Sequence, residues 1–122
     1  MKRSIRVLIV EDEFLIGMEL TTTLEAHGFE VMGPVATVGG ALEILQHEKP
    51  NAVILDLNLR GQAATAVAIK LRELNLPFVI ASAYSNTDLP QDDSLRGIEN
   101  VGKPTNGVKL IQILHRITDS HS

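Results

Sequence analysis

The sequence predicts an α/β fold in which helices cover both faces of a doubly wound, five-stranded parallel sheet. Three observations support this prediction. Short runs rich in branched residues recur at intervals of about 20 to 25 residues. Segments with helical periodicity lie between these runs, which is typical of βαβ units. Several of the runs are apolar at nearly every position, as expected for central strands that are buried on both faces.

The five predicted strands differ in how deeply we expect each to be buried. They comprise residues 5–10, 30–35, 52–55, 78–81 and 98–101. The first, third and fourth are almost wholly apolar, which favours central positions. Arg6 in the first strand and the polar character of the second indicate less buried or edge positions, and the fifth has the weakest pattern.

Four predicted helices follow from apolar residues repeated every three or four positions. Thr37 is a candidate N-cap of the second helix, and Gly28 and Pro77 are candidate stops after the first and third. Residues 84–97 have few periodic apolar residues and a central proline, so we expect one or two helical turns at most there, or a mobile loop. The apolar stripes are Ile16, Leu20 and Leu24; Val38, Ala41, Leu42 and Leu45; Val67, Leu71 and Leu74; and Val108, Ile111, Leu114 and Ile117.

Length and composition restrict the classes of function. The 122 residues, 44% of them hydrophobic, fit a single domain over residues 1–122. A formal net charge of −4 disfavours direct nucleic-acid binding. The absence of cysteine excludes disulfides, zinc–thiolate sites and thiol nucleophiles. No apolar run is long enough to span a bilayer and the first residues lack a signal-peptide pattern, so we expect a cytoplasmic protein without membrane partners.

Polar residues follow the predicted strands at the edge where their carboxyl ends meet. Glu11 and Asp12 follow the first strand, Asp56 the third, Ser82 the fourth and Lys103 the fifth. Ligands of open parallel sheets bind at this edge. Three converging carboxylates without histidine or cysteine favour a hard cation, most of all Mg²⁺. A cation together with an ammonium and a hydroxyl is a set of groups that stabilises a phosphoryl group.

These residues resemble the receiver domain of two-component response regulators. The resemblance rests on Glu11-Asp12, Asp56, Ser82-Ala83 and Lys103-Pro104, each after a predicted strand, and it covers the chain from residue 5 to about residue 118. It implies a flavodoxin-like fold with strand order 2-1-3-4-5. It also implies a signalling protein that catalyses its own phosphorylation and dephosphorylation, rather than an enzyme that acts on a separate substrate.

The resemblance further implies a role for each residue of the site. Asp56 would accept a phosphoryl group from a sensor histidine kinase or a histidine phosphotransfer protein, in a phosphorelay that requires Mg²⁺. The residues implied to hold Mg²⁺ are Glu11, Asp12, Asp56 and, through its backbone carbonyl, Asn58. The residues implied to bind the phosphoryl group or to take part in the switch are Ser82, Ala83, Lys103 and Pro104.

The chain departs from many receivers near the predicted fifth strand. Many receivers carry an aromatic residue three positions before the lysine, and here that position is Asn100. Residues 77–84, which end in Tyr84, resemble a subgroup of receivers that lacks this aromatic residue and has a partly disordered fourth helix. Members of that subgroup are often single-domain and often paired with HWE-type histidine kinases. The resemblance implies that Tyr84 takes over part of the gating at the site.

Two alternatives to a phosphorylated switch with a downstream protein target remain at this point. One is a non-phosphorylated, receiver-like interaction module, which the loss of Asp56 or Lys103 would have favoured. The other is a metal-dependent phosphatase, which usually needs a second acid two residues after the nucleophile, where this chain has Asn58. The sequence contains no predicted output domain, so we expect either a stand-alone regulator or the receiver of a longer chain.

Overall fold

The computed structural model describes residues 4–59, 62–82, 93–103 and 105–119, and in these ranges short strands alternate with helices. The strands are β1 (Arg6–Val10), β2 (Glu30–Val35), β3 (Ala52–Leu55), β4 (Asn58–Leu59), β5 (Gln62–Ala63) and β6 (Phe78–Ile80). The α-helices are α1 (Phe14–Ala26), α2 (Val38–His47), α3 (Thr65–Glu73) and α4 (Gly107–Asp119). A single turn of 3₁₀-helix spans Asp93–Leu95.

The main sheet of the described residues contains four parallel strands in the order β2-β1-β3-β6. This is the predicted order for the first four strands, and it confirms the predicted fold class. The strand β2 lies at the edge, as its polar sequence predicts, and an edge strand can accommodate a proline such as Pro34. The central strand β1 is paired on both sides, and its residues 7–10 have no solvent exposure.

The prediction of a complete fifth strand was wrong for the described residues. In the segment 98–101 only Asn100 forms a β-bridge, and its partner is Ile80 of β6. The chain then turns at Gly102, whose φ of +80° is a conformation that favours glycine. The short apolar run in this segment is therefore followed too soon by a turn for a strand to extend.

Alternate residues of the strands face two separate hydrophobic cores. Because side chains of a strand point in alternate directions, β1 and β3 contribute residues to both cores. One core lies against α2 and α3 and contains Leu8, Val10, Val53 and Leu55 with Ala41, Leu45, Val67 and Leu71. The other lies against α1 and α4 and contains Val7, Ile9, Ala52 and Ile54 with Leu20, Leu24, Leu110 and Leu114. Helices thus cover both faces of the sheet, as predicted.

The end of α1 and the start of α2 show why two predicted boundaries, Gly28 and Thr37, were accurate, whereas α3 ends at Glu73, before the predicted stop at Pro77. After α1, the N–H of Gly28 bonds to the Glu25 carbonyl and the N–H of Phe29 to the Leu24 carbonyl, at 3.1 Å and 3.0 Å. This pair of bonds is a Schellman motif, which needs a left-handed residue, and Gly28 has φ +85°. At the start of α2 the Thr37 hydroxyl accepts the Gly40 N–H at 3.0 Å, so Thr37 is the N-cap.

Replacing Thr37 by alanine is expected to lower the free energy of unfolding by about 1 kcal/mol, because the Gly40 N–H then loses its acceptor. The matched control is Thr22→Ala, which replaces an exposed threonine inside α1 and is expected to be neutral or slightly stabilising. Urea unfolding followed by circular dichroism measures both. Equal effects of the two substitutions would show that the cap does not stabilise α2.

The segment predicted to hold a short fourth helix contains the 3₁₀ turn Asp93–Leu95, and residues 83–92 lie outside the described residues. Arg72 of α3 anchors the described end of this segment: its guanidinium donates to the carbonyls of Ser94, at 3.0 Å, and Arg96. The antiparallel ribbon of β4 and β5 was not predicted. In the part of the chain that the structure describes, no helix has the length and apolarity needed to cross a membrane.

Candidate functional site

The register of the parallel sheet brings two acidic segments together at one edge. Val10 and Leu55 are partners in the pairing of β1 with β3, so the residues that follow them lie side by side. The Asp56 N–H donates to the Val10 carbonyl at 2.9 Å, which extends the pairing one residue beyond β3. The Glu11 N–H donates to the Val35 carbonyl at 2.9 Å, which fixes the segment after β1 in the same way. Backbone bonds therefore set the positions of both acids.

Three carboxylates form a cluster at this edge. One oxygen from each of Glu11, Asp12 and Asp56 lies within 4.8 Å of the other two. The side chains of Glu11 and Asp56 are buried, with 4% and 5% residue exposure. Negative charges so close together repel one another, and burial reduces the screening by water. The cluster therefore needs a positive partner.

Lys103 supplies positive charge to two of these acids. Its Nζ lies 2.9 Å from Glu11 Oε1 and 3.3 Å from Asp56 Oδ2. Burial by itself lowers the pKa of Lys103, but the hydrogen bond to Glu11 and the charges of Asp56 and Glu11 outweigh it, so the pKa is raised above its ordinary value. The ammonium is accordingly charged at neutral pH and bridges the segments after β1 and β3.

The chemistry of this cluster fits a magnesium ion. All its candidate ligand atoms are carboxylate oxygens, which Mg²⁺ prefers. Glu11 Oε1 is fully buried and, within the described residues, has no hydrogen-bond partner besides the Lys103 ammonium. Glu11 Oε2 accepts the Glu13 N–H at 3.1 Å, which holds the carboxylate in place. A buried oxygen with spare capacity beside two further carboxylates is what a hard cation requires.

Ser82 follows β6 on the other side of β3. The N–H of the preceding residue, Ala81, donates to the Leu55 carbonyl at 3.0 Å, so Ser82 lies at the same sheet edge as Asp56. Ser82 is buried, with 4% exposure. Its own N–H donates to Asn100 Oδ1 at 3.1 Å. The edge therefore combines acidic groups, an ammonium and a buried serine.

The structure brings together the predicted site residues that it describes with their side chains, namely Glu11, Asp12, Asp56, Ser82, Asn100 and Lys103. Asn58 begins β4 directly after the acidic segment, and its backbone pairs with Ala63. The predictions for Ala83, Tyr84 and Pro104 fall outside the described residues. The functional role of each residue stays a prediction at this point.

Sequence reasoning missed the contacts that Asn100 makes. The residue was singled out because it occupies the place of an aromatic side chain, not because it could accept hydrogen bonds. A signal was available, since asparagine two residues before a glycine is typical of a turn in which the side chain accepts the N–H two residues ahead. The structure contains this bond, from the Gly102 N–H to Asn100 Oδ1 at 2.9 Å.

Fold and site together define a class of protein. A doubly wound parallel sheet with an acidic cluster, a serine and a lysine at the carboxyl ends of its strands is the arrangement of a receiver domain. The chain belongs to the response regulator receiver domain family, which it matches over residues 7–115. Proteins of this family act in two-component signalling together with histidine kinases.

Solved structures similar to this chain include close matches over nearly its whole length. The solution structure of SdrG from Sphingomonas melonis Fr1 is 36% identical, with a TM-score of 0.81 over 96% of this chain and 98% of that one. The crystal structure of a sensor protein from Polaromonas sp. JS666 is 28% identical, with a TM-score of 0.85 over 98% of this chain and 100% of that one.

The curated relatives are longer proteins. The transcriptional regulatory protein PdtaR of Mycobacterium tuberculosis is 34% identical over 85 residues, which are 69% of this chain and 42% of PdtaR. The sensory transduction protein LytT of Bacillus anthracis is 31% identical over 115 residues, which are 92% of this chain and 46% of LytT. The chain thus spans less than half the length of these relatives.

Proposed function

We propose that the chain is a phospho-acceptor switch in which Asp56 receives a phosphoryl group from a histidine kinase or a histidine phosphotransfer protein. The observation that carries the proposal is the position of Asp56. Its carboxylate is buried at the end of β3, lies 3.3 Å from the Lys103 ammonium and belongs to a cluster with two further acids. A carboxylate held beside an ammonium at neutral pH is ionised and can act as a nucleophile without a general base.

The proposed reaction forms one bond and breaks one bond. An Asp56 carboxylate oxygen attacks the phosphorus of a phosphohistidine, a P–O bond forms, and the P–N bond breaks with its electron pair returning to the imidazole. The Lys103 ammonium and the Ser82 hydroxyl are the groups that would donate to the phosphoryl oxygens, with the Ala83 N–H implied by the family resemblance. The chain is itself modified, so it is not an enzyme for a separate substrate.

Magnesium completes the proposed site. Glu11, Asp12 and Asp56 would hold Mg²⁺ through carboxylate oxygens, and Asn58 through its backbone carbonyl. When bound, the ion supplies positive charge that offsets the charge on the transferring phosphoryl oxygens. Lys103 then has two tasks: it pairs with Asp56 in the unmodified protein and with the phosphoryl group afterwards.

The response to phosphorylation is proposed to involve Ser82 to Gly97. Ser82 would be drawn towards the phosphoryl group at one end of this segment. Its other end is anchored on α3 through the bonds from Arg72 to the carbonyls of Ser94 and Arg96. A change in the population of its states would alter the affinity for a downstream protein target. Tyr84, within this segment, is proposed to contribute to gating.

The proposed phosphoryl donor is a protein that covers the rim of the site. A histidine must come within bonding distance of Asp56, so its carrier must contact the residues around the opening. On the α1 side these include Phe14 and Met18, which line a cavity together with Glu11 and Asp12 and whose exposures of 77% and 44% are high for large apolar residues. HWE-type kinases are among the proposed donors.

The proposed location of the chain is cytoplasmic, and the chain is proposed to make no direct contact with nucleic acid or membrane.

Phosphorylation by a small-molecule donor tests the proposal directly. Wild-type protein incubated with acetyl phosphate and Mg²⁺ is expected to gain the mass of one phosphoryl group by intact-protein mass spectrometry. Asp56→Asn is expected to gain none, whereas the control Asp119→Asn, at an exposed position on α4, is expected to behave as wild type. EDTA is expected to suppress the reaction.

A stable mimic of the phosphoryl group provides a second readout. Beryllofluoride with Mg²⁺ is expected to shift the amide resonances of Asp12, Asp56, Ser82 and Lys103 in NMR spectra, with changes that extend to residues 93–97. These shifts are expected to vanish in Asp56→Asn. A wild-type protein that responds to Mg²⁺ but neither gains mass nor responds to beryllofluoride would favour the non-phosphorylated interaction module instead.

A further inference from the structure

One side-chain oxygen connects two segments of the site. Asn100 Oδ1 accepts the Ser82 N–H at 3.1 Å and the Gly102 N–H at 2.9 Å. An amide oxygen has two lone pairs and can accept both bonds. Ser82 carries the hydroxyl of the proposed site, and Gly102 directly precedes Lys103, which carries the ammonium. The Asn100 side chain therefore links the backbones of the two segments that carry the groups proposed to bind phosphoryl oxygens.

The bond from Ser82 replaces a missing bond of the sheet. The Ile80 N–H donates to the Glu99 carbonyl at 2.9 Å and the Val101 N–H donates to the Ile80 carbonyl at 2.7 Å, which is one repeat of a parallel ladder. In a strand that continued, the Ser82 N–H would next donate to the Val101 carbonyl. It donates to the side chain of Asn100. The carboxamide thus substitutes for a backbone carbonyl at the point where the fifth strand is lost.

This substitution lets the chain turn without releasing Ser82. The φ of +80° at Gly102 directs the backbone out of the sheet, so Val101 has no following strand residues to extend the ladder. The second bond of the Asn100 oxygen, to the Gly102 N–H, stabilises the same turn. A single side chain therefore fixes both the end of the sheet at Ser82 and the start of the turn that presents Lys103.

We propose that Asn100 is a positioning residue that couples Ser82 to Lys103, so that both shift together when a phosphoryl group binds to Asp56. This inference rests on the proposed phospho-acceptor function. An aliphatic side chain at position 100 cannot accept either N–H. The Ser82 segment and the Lys103 turn would then be connected by the backbone bridge between residues 80 and 100, without the two side-chain bonds. Asn100 does not touch the phosphoryl group in this proposal and acts through the two residues it holds.

Three variants separate positioning from general stability. Asn100→Leu preserves approximate size but removes the acceptor, whereas Asn100→Asp retains an acceptor oxygen. The matched control is Asn106→Leu, because Asn106 Oδ1 also accepts a backbone N–H, from Lys109 at 3.1 Å, but does so at the exposed start of α4. Each variant is titrated with Mg²⁺ alone and then with beryllofluoride in saturating Mg²⁺, with NMR as the readout.

Asn100→Leu is expected to lower the affinity for beryllofluoride about tenfold, because the two donors that Asn100 held lose their acceptor. Its affinity for Mg²⁺ is expected to change less than about twofold, because the carboxylates of Glu11, Asp12 and Asp56 lie on the segments that follow β1 and β3, which Asn100 does not hold. Asn100→Asp is expected to recover most of the beryllofluoride affinity, and Asn106→Leu to leave it unchanged. Wild-type affinity in Asn100→Leu, or equal losses of Mg²⁺ and beryllofluoride affinity, would overturn the proposal.

The wild-type protein provides a test that does not depend on the folding of a variant. Scalar couplings across hydrogen bonds are expected between the Asn100 side-chain carbonyl carbon and the amide nitrogens of Ser82 and Gly102, with and without beryllofluoride. Loss of either coupling on beryllofluoride binding would show that the two segments move independently. If the wild type does not bind beryllofluoride, the phospho-acceptor function fails. The couplings in the free protein then still decide whether Asn100 links the segments.

Discussion

Replacing Lys103 by methionine is expected to lower the free energy of unfolding of the metal-free protein by about 3 kcal/mol. The ammonium is the charge partner of Glu11, at 2.9 Å, and of Asp56, at 3.3 Å. These carboxylate side chains are only 1% and 7% exposed, so water cannot replace the lost partner effectively. Removal of one partner leaves buried charges uncompensated, which costs far more than the loss of an exposed ion pair.

The size of this effect is measured by urea unfolding at pH 7 in EDTA and again in Mg²⁺. The pKa of Lys103 is raised by folding, so its contribution is fully present below the ordinary pKa of lysine and is lost as the pH rises through the higher folded value. Measurements at pH 7 therefore compare a charged lysine with a neutral methionine. The deficit of the variant is expected to shrink in Mg²⁺, because a bound cation would compensate the same carboxylates.

An exposed ion pair provides the control for this prediction. Lys70 lies 3.7 Å from Glu73 on α3, and their side chains are 38% and 61% exposed. Lys70→Met is expected to change the free energy of unfolding by less than about 0.5 kcal/mol, with no dependence on Mg²⁺. If Lys103→Met were no more destabilising than Lys70→Met, burial of the acids around Lys103 would not make the loss of their charge partner costly.

The acidic cluster could be predicted from the sequence because strand order and register determine it. Once parallel βαβ units are inferred from periodicity, the residues after β1 and β3 must lie at one edge of the sheet. Glu11, Asp12 and Asp56 then converge whatever the details of the loops. Lys103 reaches the cluster although the predicted fifth strand is reduced to one bridge, because that bridge still places the segment beside β6.

The loss of the fifth strand and the ribbon of β4 and β5, by contrast, could not be predicted from the sequence. Both depend on contacts of one or two residues, which are too short to produce a periodic pattern. A moderately apolar run at residues 98–101 predicts a strand by propensity alone. Asn100 outweighs that propensity, because its side chain takes over a backbone bond and stabilises the turn at Gly102. Such a substitution becomes visible only when the partner N–H groups are located.

The substitution Asp12→Asn is expected to change stability in opposite directions with and without Mg²⁺. It removes one of three carboxylates whose oxygens lie within 4.8 Å of one another. In EDTA the loss of like-charge repulsion is expected to raise the free energy of unfolding by about 1 kcal/mol. In Mg²⁺ the missing carboxylate weakens the ion's site, and we expect the affinity for Mg²⁺ to fall at least about tenfold. The free energy of unfolding in Mg²⁺ is therefore expected to fall below that of the wild type.

The matched control for this reversal is Glu13→Gln, which removes the same charge from an exposed residue one position beyond Asp12 and outside the cluster. It is expected to have little effect on stability in either condition, because an exposed charge is screened by solvent. Thermal unfolding across a Mg²⁺ titration measures both variants. A lower stability of Asp12→Asn in EDTA would mean that Asp12 contributes more through hydrogen bonds than it costs through repulsion. Equal Mg²⁺ responses in the two variants would mean that the ion's site does not include Asp12.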